Sequence, residues 1–323
     1  MKAIICTKYG NPDVLKLSEI VKPIPKNNEV LIKIYSSSVT AADMMMRKGN
    51  PFIWRLFLGL FKPKTKISWT WFSGKIEEIW KNVDNFKIND EVFWESIFWS
   101  GTNAEYLCLA QDKILFSKPK YFSYFESAPI CDGALTSMNF LKNLGNIKKW
   151  DKVLIIWASW WLGTSAVQIA KYYWAEVTWV CSTKNIWLVK SLGADKVLDY
   201  TKEDFIDNDE NYDIIYDTIW KSSFWFSKTA LTKNGLFISP VLWLWLLFQM
   251  IWTWIFGYKK AKFSATGTLS IIELKKLIEE LLMIIEEWKL ITVIDKKYKL
   301  KDVSEAHRYV EKWHKKWNVV IVN

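Results

Sequence analysis

The spacing of hydrophobic positions changes character along the chain. Up to about residue 120 the apolar residues come in short runs that alternate with polar ones or carry β-branched side chains. These are "EVLIKIYSSSV" at 29–39, "GKIEEIW" at 74–80, "DEVFW" at 90–94 and "AEYLCLA" at 104–110, with Pro and Asn between them. They predict a compact β-rich domain. "YFESAPICDGALTSMNFLKNLG" at 124–145 predicts helices, broken by Pro129 and Gly133. From 150 onward strand-like runs alternate with helical stretches: "KVLIIW" then "WLGTSAVQIAKYY", "EVTWVCS" then "NIWLVKSLGA", and further short runs "KVLDY", "YDIIYDTI" and "GLFISPV". Such alternation predicts βαβ units around a parallel sheet. "SIIELKKLIEELLMIIEEWK" at 270–289 has the period of an amphipathic helix, and 303–323 reads as helix, turn and strand. No internal repeat is present. The fold class expected is α/β: a β-rich domain together with a doubly wound parallel sheet.

The first strand–helix junction of the second half, "VLIIWASWWLGTSAVQIAK" at 153–171, carries the chemistry. In a dinucleotide-binding fold this turn lets a pyrophosphate approach the helix N-terminus, where free N–H groups and the helix dipole hold the anion. Glycine is needed there, because a Cβ blocks the approach or the positive-φ backbone. Positions 157, 160 and 163 have the right spacing, yet only Gly163 is glycine; Trp157, Trp160 and Trp161 stand around Ala158, Ser159 and Leu162.

Composition sharpens the oddity. The 323 residues include 22 Trp and 12 Gly, against roughly 23 glycines at an average usage of about 7%. Half the chain is apolar, so a substantial core is expected. The net charge of +10 comes from dispersed lysines, with Arg only at 47, 55 and 308; without a basic cluster, nucleic acid is not an expected partner. Cys6, Cys108, Cys131 and Cys181 lack CxxC spacing, and His307 and His314 are the sole histidines. Those facts argue against a disulfide framework and a zinc site, and suit a reducing, cytoplasmic setting. The start "MKAIICTKYG" has no apolar signal region.

With glycine at 157, 160 and 161 the turn would read "GASGGLGTSAVQIAK". That resembles the cofactor turn of the zinc-independent medium-chain dehydrogenases/reductases, the quinone-oxidoreductase-like group. "MKAIICTKYGNPDVLKL", "PKNNEVLIKIYSSSVTAADMMMRKG", "VKSLGADKVLDYTKEDF" and "AHRYVEKWHKKWNVVIVN" match the family pattern in order, so the resemblance covers nearly the whole chain. Trp80, Trp94, Trp150, Trp174, Trp220, Trp288, Trp313 and Trp317 also stand where that pattern carries glycine, mostly at turns. Many of these tryptophans are therefore expected to be glycine in the organism, through a UGA codon that the cell reads as glycine; the lysine-rich, arginine-poor composition suits a low-GC genome.

The resemblance implies a GroES-like catalytic domain, from 1–122 and 258–323, and a Rossmann-like NADPH-binding domain at 123–257. It implies an enzyme, an NADPH-dependent oxidoreductase that passes hydride to a quinone or an α,β-unsaturated carbonyl. The segment "SSSVTAADMMMRKG" at 36–49 lacks the Cys and His that zinc alcohol dehydrogenases use, so no metal is expected. By the resemblance Thr40 and Asp43 line the substrate cleft, although Asp43 equally suits a local cap or a pair with Arg47 or Lys48. Thr136 matches a nicotinamide-side threonine, or else packs a helix. Tyr200 resembles a residue near the ribose phosphate, or is a strand-end aromatic. Lys316 and Asn318 match a turn beside the cofactor, or form a solvated hairpin. At the end of the second strand of the sheet, where NAD-specific sites place an acid, Ser182, Thr183 and Lys184 offer hydroxyls and a cation; NADPH is favoured over NADH.

Residues 240–257, "PVLWLWLLFQMIWTWIFG", and the aromatic, basic 51–64 raise peripheral membrane contact. A spanning helix and an interfacial or substrate-cleft lid are weighed for 240–257, but packing inside the protein or at an oligomer interface is the preferred reading, and the resemblance makes a homodimer a natural assembly. Two rivals stand beside the small-molecule reductase: a non-catalytic membrane-surface or binding protein whose cofactor turn is dead, and an NAD(P)-dependent alcohol dehydrogenase.

Overall fold

The computed structural model describes residues 1–50, 52, 55–67, 71–95, 101–157, 161–206, 210–219, 221–242, 244–287, 289–312 and 317–323. Its strands are β1 (Lys2–Cys6), β2 (Leu15–Glu19), β3 (Glu29–Val39), β4 (Trp71–Ile79), β5 (Glu91–Glu95), β6 (Tyr106–Ala110), β7 (Phe116–Ser117), β8 (Lys152–Ile156), β9 (Glu176–Cys181), β10 (Lys196–Asp199), β11 (Tyr212–Asp217), β12 (Leu231–Ile238), β13 (Lys260–Lys262), β14 (Ile294–Lys299) and β15 (Asn318–Val322). The chain divides into two units: Met1–Asp132 with Thr292–Asn323, and Gly133–Ile291.

The first unit is the β-rich one. Its main sheet runs β14-β15-β3-β4-β5-β7, with β6 also on β3, and β1 and β2 form an antiparallel pair beside it. The long strand β3 bonds β4, β6 and β15, all antiparallel, and β15 also takes β14 in parallel. Ile4, Leu15, Val39, Met44, Val303 and Ile321 meet in one buried cluster, so the two ends of the chain share a core.

The second unit is a six-stranded sheet in the order β10-β9-β8-β11-β12-β13, parallel throughout. Numbered within the unit this is 3-2-1-4-5-6, the doubly wound order, with its switch point between β8 and β11. Apolar runs such as "VLII" of β8 are buried on both faces, as a covered parallel sheet requires. The helix Trp161–Tyr172 follows β8 and turns Leu162, Ala166, Val167, Ile169 and Ala170 into the core.

The boundary falls later than 258 because of the helix Ile271–Glu286. It buries Leu274, Leu277, Ile278, Leu281, Ile284 and Ile285. Glu280 on it accepts the Tyr173 hydroxyl and pairs with Lys142, and the Gln168 amide clasps Ile291 at N (2.7 Å) and O (3.1 Å). All these partners belong to the second unit. The segment at 240–257 forms the helix Leu244–Phe256, which is largely uncovered within this chain; that departs from packing inside the protein and is compatible with the other half of its preferred reading, an oligomer interface.

Candidate functional site

Parallel sheets bind ligands beyond the carboxyl ends of their strands, at the switch point. There the second unit has a crevice of ≈ 480 Å³ whose walls include Ile156, Trp157, Val180, Tyr200, Lys202 and Lys221. These residues follow or end β8, β9, β10 and β11.

Two residues that sequence reasoning missed build this crevice. Asp217, the last residue of β11, is fully buried, and its carboxylate accepts the N–H groups of Ile219 (3.2 Å), Lys221 (3.2 Å) and Ser222 (2.7 Å). One side chain thus shapes the loop that carries Lys221. Thr218, also buried, reaches across the switch point and donates its hydroxyl to the carbonyls of Ile156 (3.0 Å) and Trp157 (3.2 Å). It fixes the end of β8 where the cofactor turn begins. Ser137 does the same from another side, donating to Leu162 O at 2.8 Å.

Trp157 opens the turn with φ of 58°, in the left-handed region. Its indole packs against Tyr200 at a 30° tilt with centroids 4.5 Å apart, and Lys221 Nζ lies 5.6 Å from its ring. The side chain therefore occupies the crevice beside Tyr200 and Lys221. As written, these residues do not fit a dinucleotide: indole and ligand need the same space. Ala158, Ser159 and Trp160 lie outside the described residues, as does the side chain of Trp161, which begins the helix. Leu162 and Gly163 are buried in its first turn.

At the end of β9, Ser182 is half-buried and Thr183 and Lys184 are exposed. A carboxylate is present after all, one strand over. Asp199 accepts the Thr183 hydroxyl, together with Thr201 N (3.0 Å) and Oγ1 (2.7 Å), and Lys202 Nζ is 4.0 Å away. These hydrogen bonds, Thr183 first, hold its carboxyl below the usual carboxylate range. Neighbouring Cys181 is no nucleophile, since burial and then the Asp199 charge push its thiol up to about 11.

Thr136 is half-buried on the helix Ile130–Met138. Asn318 lies in the other unit, where its amide donates to Val293 O at 3.0 Å and ties the start of β15 in place. Lys316 lies outside the described residues. Thr40 and Asp43 form the capping box of the helix Ala41–Lys48: the Asp43 carboxylate accepts Thr40 N (2.6 Å) and Oγ1 (2.7 Å), and Thr40 Oγ1 accepts Asp43 N (3.3 Å). Both are buried, so the acid expected on a substrate cleft is engaged in starting a helix. Among the described residues no three His, Cys, Asp or Glu side chains come together as a metal site.

A doubly wound sheet with a crevice at its switch point is the architecture in which many α/β proteins bind nucleotides. Comparison with known proteins narrows the class. Residues 192–321 match the zinc-binding dehydrogenase family model. A chloroplastic quinone oxidoreductase of Triphysaria versicolor is 31% identical over 95% of this chain and 93% of its own. The chloroplastic NADPH-dependent alkenal/one oxidoreductase of Arabidopsis thaliana is 30% identical over 68% of this chain and 57% of its own. The quinone oxidoreductase structure from Coxiella burnetii superposes with a TM-score of 0.85 at 26% identity, covering 100% of this chain and 99% of that one. The chain belongs to the quinone-oxidoreductase-like medium-chain dehydrogenases/reductases, a family of oxidoreductases, and has their GroES-like and Rossmann-like folds.

Proposed function

We propose that this protein is a zinc-independent, NADPH-dependent reductase of quinones or α,β-unsaturated carbonyls. The observation that carries the reading is the crevice at the switch point of a 3-2-1-4-5-6 sheet, where Lys202 and Lys221 stand beside Glu203 and Asp204, in a chain whose relatives are named quinone and alkenal/one oxidoreductases. NADPH is preferred because the end of β9 offers Ser182, Thr183 and Lys184, while the nearby Asp199 spends its charge on two threonine hydroxyls and Lys202. A carboxylate so engaged is a poor acceptor for a ribose hydroxyl. The cofactor is expected in the chain that carries glycine at the turn.

The test is oxidation of NADPH and of NADH by a variant with glycine at 157, 160 and 161, with a quinone or an enone as acceptor, before and after treatment with a chelator. Activity that favours NADPH and survives the chelator supports the reading. Binding of neither nucleotide would favour a non-catalytic protein on this fold, and loss of activity to the chelator would overturn zinc independence. Lys184→Ala in that background should weaken NADPH binding about tenfold and leave NADH nearly unchanged, the size of one charge-assisted contact.

A further inference from the structure

We infer that positions 150, 157 and 174 carry glycine in the native protein. Among the described residues seven that are not glycine have φ in the left-handed region. Four are asparagines, at 28, 82, 89 and 146; the other three are Trp150, Trp157 and Trp174, with φ of 73°, 58° and 62°. Asparagine tolerates this conformation, whereas a bulky side chain there is an outlier. Chance does not select tryptophan three times.

Each position has a local geometry that asks for glycine. Trp174 ends the helix Trp161–Tyr172. The N–H of Ala175 bonds Ala170 O (3.1 Å) and that of Trp174 bonds Lys171 O (3.0 Å), the paired bonds of a Schellman motif, with residue 174 at its left-handed position. Trp150 is the third residue of the turn Lys148–Asp151, closed by Asp151 N to Lys148 O at 3.2 Å; positive φ at that place is what a type II turn demands of glycine. Trp157 opens the turn after β8 and covers the crevice described above.

The indoles at 150 and 174 are 72% and 66% exposed, with Lys149 Nζ 5.0 and 5.5 Å from their rings. They add little packing to offset a strained backbone. Together they wall the larger cavity of the second unit, ≈ 740 Å³, at the amino ends of β8 and β9, away from the switch point. Glycine at both positions would take two indoles from its lining and open it further to solvent. Two other indoles, Trp94 and Trp179, are 0% exposed, and their Nε1 groups meet no hydrogen-bond acceptor among the described residues, an uncommon state for buried tryptophan.

Only the assignment at 157 touches the proposed function; those at 150 and 174 rest on backbone geometry alone. Peptide mass spectra of the protein isolated from its own cells read the residues directly. Glycine at 150, 157 and 174 is the expected result, and tryptophan at any of them overturns its assignment. Two recombinant variants separate this inference from the cofactor reading. Trp150→Gly with Trp174→Gly should raise the melting temperature by about 3 °C, while equal or lower stability counts against the inference. Trp157→Gly, combined with glycine at 160 and 161, should gain NADPH binding by titration. If the first pair stabilises and the second binds nothing, the glycine assignments at 150 and 174 stand and the NADPH reading falls.

Discussion

Asp217 shows how one buried acid organises a site. Its two oxygens hold three backbone N–H groups of a loop with no regular ladder of its own. Asp217→Ala would leave those donors unpaired and should cost the second unit about 3 kcal/mol, read as an earlier urea transition in that unit. Asp199 gives the matching pH prediction. Its folded pKa lies below the unfolded value of about 3.9, so its contribution is fully present above that value and is lost as pH falls through the folded pKa. Thr183→Val removes the leading hydroxyl, brings the folded pKa back toward the ordinary one and should shift acid unfolding to higher pH; melting curves from about pH 6 to about pH 2 would show it. Neither acid was singled out in the sequence, for a physical reason: only the pairing of β10 with β9 brings Asp199 to Thr183, and spacing along the chain does not reveal that neighbour. The turn after β8, by contrast, is a matter of local backbone and of residues a few positions apart, so the sequence alone raises its chemistry.

At the scale of elements the pattern was most readable where one face is wet and the other dry. The run at 270–289 became the helix Ile271–Glu286, wet on one side and dry on the other, whereas those at 29–39 and 176–182 became β3 and β9, buried along nearly their whole length. That last helix starts on a capping box, in which Ser270 Oγ accepts Glu273 N at 3.2 Å and the Glu273 carboxylate accepts Ser270 N at 2.9 Å. The helix Leu244–Phe256 is inside out within this chain. Its polar residues Gln249 and Thr253, four apart, are 2% exposed, while Phe248 and Trp254 on the other side are 63% and 80% exposed. Hydropathy alone assigns such a run to the interior. Gln249 Oε1 accepts Phe224 N at 3.3 Å, and Thr253 Oγ1 accepts Ala261 N at 3.1 Å, so the buried side is held by specific hydrogen bonds. Gln249→Ala should therefore cost about 1–2 kcal/mol. Phe248→Glu should change stability by less than about 0.5 kcal/mol in dilute protein. A large loss from Phe248→Glu would mean that this face is covered. None of the described helices is long and apolar enough to cross a membrane.

The whole molecule combines two units that place their structure differently along the chain. The first closes on itself only when Thr292–Asn323 returns, since β15 pairs with β3, hundreds of residues away in sequence. The second is continuous and carries the crevice. The sequence showed this discontinuity through family likeness, because no local pattern announces that a C-terminal strand belongs with an N-terminal sheet. A ligand held in the crevice should stabilise the second unit by mass action, by about 2.7 kcal/mol at a concentration one hundred times its Kd. With glycine at 157, 160 and 161, saturating NADPH should slow amide hydrogen exchange in the loops after β10 and β11, where Tyr200 and Lys221 lie. A ligand held by the second unit alone leaves β3 and the body of β15 exchanging as before, whereas slower exchange at Asn318 would support its expected place beside the cofactor. The chain with Trp157 in place should show no NADPH-dependent protection in either unit, because its indole already lies on Tyr200. Protection of the β10 and β11 loops in the tryptophan form would show that the indole swings aside, and the steric account of the crevice would then be wrong.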